Sequence, residues 1–328
     1  MSGVEIVTLC MNPALDITTG TDVVRPTDKL RCAAARYDPG GGGINVAIVA
    51  EVLGISSTAV FPAGGPAGEL VHNLLVAEGV AVQRVRIGGP TRESFTVNEL
   101  STERQYRFVL PGPQLTIAEQ TDCLLHLRRA AASARIVVAS GSLPPGVPED
   151  FYQQVATVCA ELGKTFLLDA CGAGLTHVTS GVFLLKPSIR ELREYSNGDA
   201  TDLTTEAEQV AAARSLVSRG VARHVLVSMG SRGALLVGRD AAQRFAAVDV
   251  PPGSGVGAGD AMLAGVAVGI ARGWPLSDAV RLGVAAGAAK LLTPGTAPCT
   301  RQDAERLFRQ TEDPVDVEPL TDTPGRPK

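Results

Sequence analysis

The chain has 328 residues, with 30 Lys and Arg against 34 Asp and Glu and a formal net charge of −4. That length allows one large α/β domain or two smaller ones around a substantial core. The near balance of charge, with no long basic run, excludes nucleic acid or an anionic membrane as the main partner, and six cysteines without a C-x-x-C pair exclude a zinc site or disulfide framework.

In chain order, a strand-like run at 5–9 begins almost at once, with neither a basic n-region nor a small-residue cleavage site before it. A cytoplasmic location is expected, because the longest apolar stretches, such as 261–271, fall short of the roughly 20 residues that span a bilayer. Further strand-like runs follow at 58–61, 135–139, 165–169, 182–185, 224–228 and 245–250. Helical patterns lie between and after them at 44–53, 68–78, 117–132, 149–162, 205–219, 258–272, 277–292 and 301–310. The strands are continuous apolar runs rather than alternating ones, which predicts a mostly parallel sheet covered by helices on both faces. Two stretches break this rhythm. Residues 14–37 are rich in Thr, Asp and Arg, and 92–109 alternates like a hairpin turning near 101–103, so both are expected in a small β appendage. Its apolar alternates Phe95, Val97, Tyr106 and Phe108 need cover from a ligand, a second copy, or both. The tail from residue 312, rich in proline and acids, reads as disordered.

Four stretches carry chemistry. In "SGVGAGDAMLAG" the segment Gly257-Ala258-Gly259-Asp260 opens a small-residue helix, where free N–H groups and the positive dipole end converge. It reads either as a phosphoryl-binding turn with a general base or as a plain capped helix start. "PGGGGINVA" feeds four glycines into Asn45 and a helix, a second bare entrance or a hinge. Asp16, just past the first strand, sits where open α/β sheets bind ligands, or else shapes a turn. "LLKPSIREL" sets Lys186 and Glu191 around a helix start, suited to a phosphate and a solvated Mg²⁺. The spacing of Gly255, Gly257 and Gly259 is not the dinucleotide fingerprint, and Val158 stands where a P-loop requires glycine before Gly163-Lys164-Thr165.

"GGGGINVA" early and "GVGAGDAMLAG" late resemble the paired signatures of the pfkB-type, ribokinase-like carbohydrate kinases, over roughly residues 4–310. "MNPALD", "FPAGG", "QYRFVLPGP", "SGSLPPG" and "VSMGSRGAL" resemble the bacterial 6-phosphofructokinase branch, and Gly42 replaces the lysine that 1-phosphofructokinases and tagatose-6-phosphate kinases carry. The resemblance implies a ribokinase-like three-layer α/β/α domain over 1–311, with a small β-sheet lid from about 14–37 and 91–110. It implies ATP-dependent phosphorylation of fructose 6-phosphate at its 1-hydroxyl, and the apolar face of the appendage, too small to bury itself, predicts a homodimer clasped through the lids. Asp260 would be the catalytic base, with Gly257, Ala258 and Gly259 as anion hole. Asp16, Asn45, Gly41, Gly42 and Ser142 would meet the sugar, and Arg92, Arg107 and Lys29 its phosphate. Lys186, Ser188, Glu191, Ser228, Gly230 and Gly233 would lie on the ATP side, Glu191 holding Mg²⁺ through water. Ser188 stands where the family has Asn, and Ser254-Gly255 where it has Asp-Thr; Thr293 and Ala297 also depart from close relatives, leaving a K⁺ requirement open. A 1-phosphofructokinase or tagatose-6-phosphate kinase using the same site, and a sugar-phosphate sensor without turnover, are the remaining alternatives.

Overall fold

The structure, a computed structural model, describes residues 5–195 and 203–317. Fourteen strands are, in order, β1 Ile6–Leu9, β2 Ala14–Thr21, β3 Arg36–Gly40, β4 Ser57–Ala63, β5 Ala81–Arg86, β6 Arg92–Glu99, β7 Arg104–Val109, β8 Ile136–Ser140, β9 Thr165–Asp169, β10 Val182–Leu185, β11 Ala222–Ser228, β12 Ala234–Val237, β13 Ala242–Phe245 and β14 Val315–Asp316. The helices are α1 Gly42–Val52, α2 Gly65–Ala77, α3 Ile117–Ala131, α4 Phe151–Glu161, α5 Ala173–Thr176, α6 Ile189–Tyr195, α7 Glu206–Ser218, α8 Ala258–Ala271, α9 Leu276–Leu291 and α10 Arg301–Phe308.

Ten strands form one sheet in the order β14-β13-β12-β11-β10-β9-β8-β1-β4-β5, parallel from β5 to β11 and antiparallel beyond. Central strands are apolar throughout because both faces are covered. On β8, Val137 and Ala139 pack into the core under α3, α4 and α7, whereas Ile136 and Val138 pack into the core under α1, α8 and α9. This is a ribokinase-like, three-layer arrangement. Helix starts follow local chemistry: Thr116 and Glu119 form a capping box on α3, and Thr205 and Glu208 form one on α7. Among the described residues, no helix is long and apolar enough to cross a membrane.

The remaining strands form the four-stranded lid, β3-β2-β6-β7. Its register aligns Tyr37, Ile17, Phe95 and Phe108 across one face, and Asp38, Asp16, Ser94 and Val109 across the other. Arg92, opposite Ala14, and Arg107, opposite Thr96, share the Asp16 face by alternation. Phe95 and Phe108 are exposed.

Two expectations are corrected, and one strand was not anticipated. The segment 245–250 is not a strand: β13 ends at Phe245, and an open connection runs from there to α8. Its hairpin partner β12 is too short to stand out in the sequence. Disorder from residue 312 does not hold for 312–317, because β14 pairs with β13 and the Val317 N–H donates to the Ala242 carbonyl at 2.8 Å; residues 318–328 lie outside the described residues. Finally, β5, carrying Gln83, Arg84 and Arg86, completes the sheet edge, though its polar alternation sets it apart from the apolar runs.

The helix pair α8–α9 fixes where the Gly257 turn sits, and it packs through glycines. A Cβ on Gly265 would lie 2.7 Å from the Gly283 Cα and 2.7 Å from the Leu282 carbonyl, and one on Gly269 would lie 2.5 Å from the Ala279 Cα. Backbone cannot yield there. Gly265→Ala is expected to destabilise the fold by about 1–3 kcal/mol, seen as a lower midpoint in urea unfolding; an unchanged midpoint contradicts this packing.

Candidate active site

Because β1, β8, β9, β10 and β11 run parallel, their C-terminal ends share one edge of the sheet. Ser140 ends β8 in register with Asp169, which ends β9. Lys186 follows β10 and donates its N–H to the Leu168 carbonyl at 2.9 Å. Two helix N-termini, those of α1 and α8, arrive over this edge.

Their approach explains the glycines. A Cβ on Gly40 would lie 2.4 Å from Asp16 Oδ2, one on Gly41 2.5 Å from Cys10 Sγ, one on Gly42 2.2 Å from Ser140 Oγ, and one on Gly43 2.4 Å from the Leu9 carbonyl. The run is therefore a close crossing of α1 over the ends of β1 and β8 and not a flexible hinge. At α8, Gly257 is the N-cap, with φ 77° in the left-handed region, and Asp260 lies in the first turn without capping it. The Asp260 carboxylate instead faces the other elements: Oδ2 accepts from Asn45 Nδ2 at 2.9 Å and Oδ1 from Ser140 Oγ at 3.1 Å. The capped-start alternative for this stretch is thereby answered. The acid is held by long-range partners, beside a helix start whose Ala258 N–H donates to the Gly255 carbonyl at 3.2 Å and whose following first-turn amides have no intrahelical acceptor.

A cationic floor lies next to it. Lys186 is 4 % exposed and its Nζ sits 2.8 Å from Asp169 Oδ2; a Cβ on Gly259 would stand 3.3 Å from that ammonium. Burial works to lower the Lys186 pKa, but Asp169, Asp260 and Glu191 together raise it above the ordinary lysine value, so the ammonium stays charged. Burial likewise pushes the Asp169 carboxyl up, against the pull of Lys186.

Above the edge, the lid presents Asp16, partly enclosed, with Arg92 and Arg107 acting on it electrostatically. Arg92 donates from Nε and Nη2 to the Asn12 carbonyl at 3.3 and 3.0 Å and from Nη1 to the Leu110 carbonyl at 3.2 Å. Arg107 is exposed. Ser142 accepts from Asn12 Nδ2 at 3.0 Å, so the loops after β1 and β8 are tied together under Arg92. Lys29 is not brought to this cluster. It is exposed on the loop between β2 and β3, beyond the Thr21 end of β2, whereas Asp16 is near the Ala14 end.

On the other flank, Glu191 Oε2 accepts from the Ser188 N–H at 2.8 Å and from its hydroxyl at 2.7 Å, closing the first turn of α6. Ser188 bridges Ser228 between the strand ends. Gly230 is exposed with φ 60° and open space on its Cβ side. Gly233 is a packing glycine, since a Cβ there would lie 2.0 Å from the Phe245 carbonyl. Sequence reasoning missed Asn12, Ser140 and Asp169. Asp169 had a usable signal, the strand-end acid rule already applied to Asp16. Ser140 and Asn12 depend on contacts 120 and 130 residues away in the chain, which no local pattern announces.

Residues 4–303 match the pfkB family of carbohydrate kinases. The chain is 60% identical over 313 residues to the ATP-dependent 6-phosphofructokinase isozyme 2 of Mycobacterium tuberculosis, covering 95% of this chain and 91% of that one. It is 37% identical over 307 residues to the enzyme of the same name from Escherichia coli, covering 93% and 98%. Crystal structures of the Escherichia coli phosphofructokinase-2 superpose with a TM-score of 0.88 in complex with potassium and 0.86 in complex with fructose-6-phosphate, each at 36% identity and covering 94% of this chain and 99% of that one. A tetrameric inhibited form of that enzyme superposes with a TM-score of 0.87, 36% identity and the same coverage. The ribokinase of Thermotoga maritima, 20% identical and covering 93% and 99%, shares the fold with a TM-score of 0.75.

Burial raises the Asp16 pKa from 3.8 to about 6, with Arg107 and Arg92 pulling it back down and Asp38 pushing it up. A carboxyl raised on folding holds its proton more tightly in the folded state. The resulting penalty is therefore absent below the unfolded value and complete above the folded one. Asp16→Asn should stabilise the fold by up to about 3 kcal/mol near pH 8 and by almost nothing near pH 4. Thermal midpoints of both proteins at the two pH values test this, and an equal shift at both contradicts it.

Proposed function

The chain belongs to the pfkB family of carbohydrate kinases, and from that premise we propose that it transfers the γ-phosphoryl group of ATP to the 1-hydroxyl of fructose 6-phosphate, giving fructose 1,6-bisphosphate and ADP. The observation that carries this reading is the Asp260 carboxylate, held by Asn45 and Ser140 at the N-terminus of α8, directly below the lid face that bears Asp16 and two arginines.

Each part has a job that its chemistry suits. Asp260 takes the proton of the attacking hydroxyl. Its neighbours Gly257, Ala258 and Gly259 supply N–H groups and the positive helix end where charge develops in flight. Asp16 and Asn45 hold sugar hydroxyls, with the backbone of Gly41 and Gly42 passing close to the sugar. Arg92 and Arg107 fork onto the 6-phosphate, and lid closure over them excludes water. Ser142 shapes the acceptor side beside Asn12. Lys186, buried and charged at the floor, neutralises the donor phosphates, and the strand-end residues Ser188, Ser228 and Gly230 line the path of the nucleotide. Mg²⁺ entering with ATP would offset phosphate charge. Among the described residues no three acids form a ready metal cage, and Asp169 is paired with Lys186, so Glu191 would hold the ion through water. Lys29 would reach a phosphate only from a second copy or after the β2–β3 loop moves.

The exposed row of Phe95 and Phe108 favours a homodimer, since two lids clasped face to face bury what one cannot. The substrates are soluble, in keeping with a cytoplasmic enzyme.

Asp260→Asn should lower kcat by roughly 10³-fold while leaving KM for the sugar phosphate within a few-fold, as read by coupled ADP release; near-normal turnover overturns the assignment. In a contest of kcat/KM, fructose 6-phosphate should exceed fructose 1-phosphate and tagatose 6-phosphate, and the reverse ranking makes this a different phosphohexose kinase. Light scattering should report a dimer or a higher multiple of it; a fully active monomer removes the lid clasp.

A further inference from the structure

A second buried ammonium stands behind the head of α8, and none of the steps above uses it. Lys290, in the last turn of α9, is 3 % exposed. Its Nζ donates to the Gly295 carbonyl at 2.9 Å and to Thr293 Oγ1 at 3.3 Å. The Thr293 hydroxyl in turn donates to the Ala297 carbonyl at 2.9 Å, so the 293–297 loop wraps the charge with its own oxygens. Among the described residues, Lys290 forms no ion pair with a carboxylate. Residues 253–257, which pack against the end of α9 where a Cβ on Gly253 would meet the Leu291 carbonyl at 1.9 Å, contain no acid.

The position is specific. A Cβ on Gly257 would stand 3.6 Å from the Lys290 Cε, 3.8 Å from Asn45 Nδ2 and 4.0 Å from Asp260 Oδ2. Lys290, Asn45, Val256, Gly257 and Thr296 line one small cavity. The lysine therefore backs the very turn whose amides face the phosphoryl group. Burial opposes the charge, and Asp38 favours it without pairing with it, being itself paired with Arg36 and bonded by Thr296; burying a cation so weakly balanced costs several kcal/mol. Such a group is retained where an anion arrives, and the anion arriving here is the phosphoryl group in transfer.

We propose that Lys290 is a built-in monovalent cation. Its ammonium rests on a carbonyl and a hydroxyl that would suit a potassium ion of similar size, and an ion on those oxygens would coincide with it. It holds the 253–257 connection against the 293–297 loop and adds positive potential behind the Gly257–Gly259 amides, so turnover needs no added potassium. This rests on the phosphoryl-transfer reading. Lys290 acts through the Gly257 turn without touching substrate, and is a positioning residue.

The test is steady-state kinetics of the full chain, Lys290→Met and Lys290→Ala in tetramethylammonium buffer at constant ionic strength, with potassium or ammonium chloride titrated in. The unaltered protein should show no activation by either ion. Lys290→Met should lose roughly 10- to 100-fold in kcat with little change in KM for the sugar phosphate. Lys290→Ala should regain turnover with potassium or ammonium but not with tetramethylammonium, a signature that mere loss of packing does not produce. Potassium activation of the unaltered protein overturns the proposal, as does a Lys290→Ala protein, folded by circular dichroism, that potassium fails to revive. If the variants do not fold, the titration of the unaltered protein still decides. Absence of ADP release from the unaltered protein with every sugar phosphate is a separate failure, and it removes the phosphoryl-transfer reading itself.

Discussion

Two hydrogen bonds on one carboxylate hold the site together. Asn45, in the first turn of α1, and Ser140, at the end of β8, grip the two oxygens of Asp260 at 2.9 and 3.1 Å. Bonds to an ionised group are worth about 1.5–3 kcal/mol each, but their larger effect is orientational. They turn a first-turn acid away from capping its own helix and toward the gap between the lid and the strand ends. The geometry exists only because Gly42 has no side chain, since a Cβ there would already stand 3.0 Å from Asp260 Oδ1 and 2.2 Å from Ser140 Oγ. One glycine run and one distant acid are thus a single device, joined in space although they open and close the sequence.

The charges around that acid balance one another. Three acids, Asp169, Glu191 and Asp260, surround Lys186 and keep it protonated despite burial. Asp16 is half-buried, and its ionisation there costs stability at neutral pH. Such a group weakens the fold and is retained for what it binds. The glycine-packed α8–α9 pair supplies the rigidity on the other side, setting the helix end, and the lysine behind it, to within the short distances that phosphoryl chemistry needs.

Much of this was legible in the residues, for physical reasons. Strands buried on both faces cannot alternate, so β1, β4, β8, β9, β10 and β11 stood out as apolar runs and pointed to a covered parallel sheet. The lid, open on one face, had to alternate, and β6 and β7 did so around the expected turn. The glycine clusters marked both helix entrances. What stayed hidden depends on pairing between distant segments. The short hairpin β12–β13 and the two-residue β14 are held by their neighbours rather than by their own composition. Ser140 and Asn12 are ordinary polar residues until the fold sets them beside Asp260 and Ser142. Lys29 carried a recognisable charge but not a location, since a loop at the far end of β2 keeps it from the cluster its sequence neighbours join.

The central claim is that Asp260 meets the hydroxyl that is phosphorylated. A crystal structure with fructose 6-phosphate and a non-hydrolysable ATP analogue bound together tests this most directly. The account predicts an Asp260 oxygen about 3 Å from the sugar's 1-hydroxyl oxygen, with the terminal phosphate facing the Gly257–Gly259 amides. A ternary complex in which that carboxylate points away from the hydroxyl, or in which the terminal phosphate lies elsewhere than at the head of α8, contradicts it.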